Sequence, residues 1–170
     1  MSMETILLAV GESDRGRVEE LFETAISLAE PTDATVALAH VFDRDEYEQT
    51  RSRLEFAPDD EVTPDDVAKR YVTIRDLGDA LTEAGVEFTW HGAVGDRGDR
   101  IVALAEDLDA DQVVVGGRKR SPTGKAVFGS TAQKVMMEAP CPVTFVRGDD
   151  VSTEEETGEA GDRKLAGLVS

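Results

Sequence analysis

The sequence predicts an α/β fold, a three-layer sandwich in which helices cover both faces of a five-stranded parallel sheet. Three observations predict it. Apolar runs of strand length alternate strictly with amphipathic segments of helical period. Glycine or proline punctuates the boundaries, at Gly11, Pro31, Gly85 and Gly116. The chain has 170 residues with 40% apolar content, which suits one domain with an ordinary core.

Residues 4–10 (ETILLAV) form a short apolar run of the buried-strand kind. From Asp14 to Glu30, Val18, Leu21, Phe22, Ala25, Leu28 and Ala29 recur at helical spacing until Pro31. Residues 34–42 (ATVALAHVF) are a second strand. Residues 43–62 are polar and acidic with sparse apolar marks, and are expected to be a loop with a little helix. Thr63-Pro64-Asp65-Asp66 is a helix start, with a capping hydroxyl, proline in the first turn and acid after it. One helix should follow, burying Val67, Tyr71, Ile74, Leu77 and Leu81 and stopping near Gly85. Residues 86–90 alternate as a third strand should, and 97–109 repeat as a helix. Residues 111–117 (DQVVVGG) are a fourth strand, 129–138 a helix, and 142–146 a fifth strand. The domain is thus expected over residues 1–147. From Gly148 to Ser170 a polar, acidic tail is expected to be disordered.

Charge narrows the function classes. Acidic residues outnumber basic ones 36 to 18, for a net charge of −18. A surface of that sign repels a phosphate backbone, so nucleic acid is not an expected partner. Such acidity keeps a protein hydrated where salt screens repulsion. The composition fits both a high-salt, halophilic-type cytoplasm and an ordinary acidic one. No apolar run reaches the roughly 18 residues a membrane span needs. The first ten residues lack a basic segment before an apolar one, so no signal peptide is expected. The single cysteine, Cys141, has no intramolecular partner, which suits a reducing cytoplasm.

A parallel sheet of this kind binds ligands at the carboxyl ends of its strands. Several nucleotide motifs fail there. Gly11-Glu12-Ser13-Asp14-Arg15-Gly16 is not G-x-G-x-x-G. Residues 117–125 end in Gly124-Lys125, but Lys119 stands where a phosphate loop needs glycine, and Ala126 replaces its Ser or Thr. Trp90-His91-Gly92 offers no aspartate at the end of strand three, which excludes a phospho-acceptor receiver.

What remains is Val113-Val114-Val115-Gly116-Gly117-Arg118-Lys119-Arg120-Ser121, then Phe128-Gly129-Ser130-Thr131-Ala132. Together with the AHV ending strand two, Gly95 after strand three and the APCPV entering strand five, this order resembles the universal stress protein family over residues 3–147. The resemblance implies a Rossmann-like fold of the adenine nucleotide alpha-hydrolase-like type. It also implies a homodimer, and in a subset of members ATP, with magnesium when bound, held by a G-x-x-G, nine-residue, G-[S/T] loop. Gly116, Gly129 and Ser130 match that pattern. Lys119 stands at its second glycine, and Gly11 stands where such members carry a strand-one acid that contacts ribose.

Glycines let backbone N–H groups approach phosphate oxygens, and a hydroxyl at a helix start adds a donor. Residues 118–147 hold six cations against one acid, Glu138; elsewhere 12 bases face 35 acids. The candidate ligand-binding residues are therefore Gly116, Gly117, Arg118, Lys119, Arg120, Gly129, Ser130 and Thr131, with Gly11, Asp14 and Val41 at neighbouring strand ends. Ser13 and Asp14 also fit an N-cap of the first helix. His40 and His91 lack ligating companions, so no metal site is expected. No nucleophile–base pair or carboxylate dyad stands out. Strand five is expected at a sheet edge, which a second copy would cover through Val143, Thr144, Phe145 and Val146. Three functions stay open: a nucleotide- or phosphate-binding stress module, a member that binds no ATP and acts through protein contacts, and a slow ATP hydrolase.

Overall fold

The computed structural model describes residues 3–54, 56, 61–120 and 126–147, with side chains at all of them except 12, 13, 15, 117–120, 126–128 and 147. The expected tail at 148–170 lies outside these residues. Six strands form one sheet: β1 (Thr5–Val10), β2 (Thr35–Phe42), β3 (Phe88–Val94), β4 (Gln112–Arg120), β5 (Ala126–Phe128) and β6 (Val143–Arg147). Five are parallel, in the order β3-β2-β1-β4-β6, and β5 pairs antiparallel with the far end of β4. The predicted five-stranded parallel sheet is present, with one short strand added.

β1 lies at the centre because its run is apolar on both sides. Ile6, Leu8 and Val10 face one core layer with α1 (Val18–Ala29), Leu77 and Leu81. Leu7 and Ala9 face the other with Ile101, Ala105 and Val135. These five of the six β1 residues are fully buried. The second layer comes from α5 (Arg97–Asp107) and α6 (Ser130–Glu138). The result is the expected three-layer sandwich.

Four local expectations are corrected. Residues 44–53 form a ten-residue helix, α2, more than the little helix expected within a loop; Asp43 caps it by accepting the Glu46 N–H at 2.7 Å. The single helix after Pro64 is two, α3 (Pro64–Arg70) and α4 (Val72–Glu83). The chain turns extended at Tyr71, with ψ of 134°, and its ring packs tilted against His40 and edge-on against Phe42. The third strand runs four residues further than predicted, to Val94. Finally, β4 continues past Gly117 to Arg120, and its last three residues pair antiparallel with β5 (Ala126–Phe128). A bulge at Gly117 shifts the β4–β6 register between Gly116 and Arg118.

At the β3 edge the backbone of α3 comes close. The Gly92 N–H donates to Asp65 Oδ1 at 2.7 Å, and a Cβ on Gly92 would lie 2.0 Å from the Pro64 carbonyl oxygen. Only glycine permits this approach.

Candidate binding cleft

The carboxyl ends of β1, β2 and β4 meet the starts of α5 and α6. Gly95 makes the turn from β3 into α5 with φ of +140°, a conformation open to glycine, and its N–H donates to the Phe42 carbonyl at 3.0 Å. Asp96 then caps α5 by accepting the Asp99 N–H. That cap sets Arg97 at the first helical position, from which its side chain runs back over the end of β1.

There Arg97 Nη2 meets the Asp14 carboxylate in a short contact. Asp14 is 1% exposed. It accepts the Gly11 N–H at 2.8 Å and lies 3.5 Å from Arg17 Nε. Asp14 therefore caps a 3-10 turn (Glu12–Arg17) that opens at Gly11, and it is not the cap of α1, which begins only at Val18. The apolar spacing that pointed to a helix from residue 14 is real, but the buried carboxylate holds the first turn tighter.

Two glycines make this cluster possible. A Cβ on Gly11 would lie 2.5 Å from the Arg97 guanidinium carbon. A Cβ on Gly116 would lie 2.5 Å from both Asp14 Oδ1 and Arg17 Cδ. Gly11, Asp14 and Gly116, named from sequence, thus do come together, and Arg17 and Arg97 join them. Side chains of the protein itself already press on Gly116, the first glycine of the loop motif.

Beside the cluster lies a cleft of about 620 Å³ lined by Val41, Asp43, Glu46, Gly95, Asp96, Arg97 and Thr131. Val41 and Thr131, at the end of β2 and in the first turn of α6, are both among the sequence candidates. Gly129 and Ser130 are exposed at the start of α6, with no side-chain cap there. Gly117, Arg118, Lys119 and Arg120 lie on the extended part of β4; their side chains lie outside the described residues. Lys134, one of the six cations of residues 118–147, is engaged by Asp99 across α5 and α6. That hydrogen bond holds the Asp99 carboxyl below its usual range and the Lys134 ammonium above its own.

On the opposite wall, His40 is fully buried with Nε2 2.7 Å from Glu46 Oε1. This pair ties α2 to the end of β2. His91 bonds Thr89; burial lowers its pKa, against a raising influence from Asp65. Burial and nearby Asp111 raise the Cys141 thiol above its ordinary pKa, the opposite of an activated nucleophile. Among the described residues, no group of three or more His, Cys, Asp or Glu is placed to hold a metal ion. No helix among them is long and apolar enough to cross a membrane.

Sequence reasoning missed Arg17 and Arg97. A signal was available only in the strand-one glycine, whose missing side chain leaves space that Arg97 fills.

The model of the universal stress protein family matches residues 3–147. A universal stress protein of Mycolicibacterium smegmatis is 35% identical over 75 residues, covering 44% of this chain and 58% of that protein. The match therefore spans little more than half the length of that relative. A universal stress protein solved in complex with cAMP superposes with a TM-score of 0.61 at 19% identity, over 88% of this chain and all of the other. An Arabidopsis thaliana protein of the same family, solved with AMP bound, gives 0.57 at 16% identity, over 91% of this chain and 98% of the other. At these identities the two structures establish the fold.

Proposed function

The chain belongs to the universal stress protein family, and from that premise we propose that it is a cytoplasmic stress-response module binding an adenine nucleotide or a similar phosphate-bearing ligand. One observation carries this: a cleft of about 620 Å³ at the carboxyl ends of the strands, into which Val41, Gly95, Arg97 and Thr131 converge. Its size falls in the range of roughly 300–1,000 Å³ usual for small-molecule sites. Two structures of similar fold were solved with cAMP and AMP. The residues present suit the phosphate end of such a ligand better than its sugar. The start of α6, with Ser130 and Thr131, brings unsatisfied N–H groups, whereas Gly11 supplies no carboxylate for ribose.

The test is calorimetric titration with ATP and AMP in concentrated potassium chloride, with and without magnesium, after checking the purified protein for carried nucleotide. Micromolar binding that weakens in Ser130→Ala is expected. No heat and no released nucleotide would refute the proposal.

A second reading, in which protein contacts matter more than a ligand, is favoured by two features. Arg17 and Asp14 already press on Gly116. In addition, β6 stands at the edge of the described parallel order, next to β4, while Met136 and Met137 on α6 are 48% and 81% exposed. Pairing across β6 would give a homodimer and cover that edge. Light scattering at high salt should return twice the chain mass; a monomer would sink it. In both readings, residues 1–147 are the working domain and 148–170 an acidic tail.

A further inference from the structure

We propose that Arg97 orients the ligand, and that the cleft takes its anionic end against β1 and α6 and its hydrogen-bond-donating end against α2. This rests on the reading that the cleft binds a nucleotide, and it adds the residue and the polarity.

The argument begins at Gly11. A side chain there would collide with the Arg97 guanidinium, its Cβ falling 2.5–2.8 Å from Cζ, Nη2 and Nε. The wall at the end of β1 is therefore a guanidinium. Guanidinium nitrogens only donate, so this wall cannot accept from a sugar hydroxyl; it suits phosphate or carboxylate oxygens.

The group is held in place. Asp14, 1% exposed, engages Arg97 from inside the protein and is itself fixed by the Gly11 N–H. The same carboxylate also faces Arg17, which ties the end of β1 and the start of α5 to one buried group. An arginine fixed on one side and facing a cleft on the other is a preorganised anion contact. Thr131 lines the same cleft from the first turn of α6, whose N-terminal dipole adds to the field of Arg97.

The far wall has the opposite sign. Asp43 and Glu46 line it, with Glu46 anchored on His40. These carboxylates repel a phosphate and accept from hydroxyl or amino groups. Asp96, at the rim, caps α5 through the Asp99 N–H as Asp43 caps α2 through the Glu46 N–H, each by one carboxylate oxygen. Phosphate at Arg97 with hydroxyls or an amino group toward Asp43 satisfies both walls; the reverse orientation satisfies neither.

The test compares AMP with adenosine on the full chain by calorimetry at fixed salt. The wild type should prefer AMP by at least about tenfold. Arg97→Gln should lower AMP affinity about 10- to 100-fold, the range for one charge-assisted contact, and leave adenosine unchanged. Arg97→Lys should recover part of the preference, since it restores the charge without the fork. Because Arg97→Gln leaves Asp14 with a different charge balance beside Arg17, the double variant Asp14→Asn, Arg97→Gln removes one charge of each sign, keeps the net charge of the wild type, and should show the same lost preference. The preference is a ratio within each variant, so a general loss of folded protein does not mimic it. Equal weakening of both ligands, or no change in either, overturns this inference alone. A wild type that binds neither overturns it together with the reading beneath it.

Discussion

Substituting Gly92 by alanine tests the contact between α3 and the β3 edge directly. The added Cβ would lie 2.0 Å from the Pro64 carbonyl oxygen, 2.4 Å from its carbon and 3.0 Å from the Asp65 nitrogen. All three are backbone atoms, so no rotamer change relieves the overlap. Either the first turn of α3 or the β3 backbone must move by more than an ångström. Overpacking of this kind costs about 1–3 kcal/mol. The movement also breaks the bond from the Gly92 N–H to the Asp65 carboxylate, worth about 1.5–3 kcal/mol for a charged acceptor. The two costs overlap, giving an expected loss of about 3–5 kcal/mol. At roughly 2–4 °C per kcal/mol for a domain of this size, the melting temperature should fall by about 6–20 °C. Urea unfolding at constant salt measures it as a lower midpoint at unchanged slope. Gly129→Ala is the control: nothing lies within 4 Å of its Cβ and its φ is −72°, so it should stay within about 0.5 kcal/mol. A Gly92→Ala protein as stable as that control would refute the geometry.

Two further predictions concern charge. Gly116→Ala should destabilise by about 1–3 kcal/mol through its clash with Asp14 and Arg17; in an Asp14→Ala background the penalty should shrink by at least about 0.5 kcal/mol, and strict additivity in unfolding titrations would disprove the contact. Asp111 accepts the Glu4 and Thr5 N–H groups at 2.8 and 3.0 Å, which lowers its pKa. The folded value lies below the unfolded one, so the stabilisation is present above about pH 4 and is lost as pH falls through the folded value. Asp111→Asn should therefore be less stable at neutral pH, and equal to wild type once both are fully protonated; a gap that persists in strong acid would contradict this.

How legible the molecule was depended on how local each cause is. The strands and α1, α5 and α6 are written in nearby apolar spacing, and the cap at Thr63 in four consecutive residues. α2 was legible only as a little helix within an expected loop, because its residues are almost all polar. It is held by the Asp43 cap and by Glu46 reaching back to His40, which no periodicity reports. The break at Tyr71 was hidden because its apolar neighbours keep helical spacing on both sides; the aromatic cluster with His40 and Phe42 decides it. For the cleft, Gly11, Asp14 and Val41 were found from their places at strand ends, and Gly116, Gly129 and Thr131 from the loop that resembles the family's motif. Arg97 was not, because a cation at a helix start reads as solvated, and its partner Asp14 lies 83 positions away. β4 runs past its expected end because its backbone pairing, with β5, continues past the glycines.

The strand order has a consequence for how the chain comes off the ribosome. β1 is synthesised first, yet it lies between β2 and β4, with Ile6 opposite both Val36 and Gln112. One side can pair as soon as β2 emerges. The other must wait for β4, roughly a hundred residues later, or on the order of 5–20 s at ordinary elongation rates. Throughout that interval the most apolar strand of the domain has an unpaired edge, the condition that invites association between nascent chains. The abundant carboxylates on the segments made in between give each waiting chain a large like charge, which keeps neighbours on a polysome apart until β4 arrives.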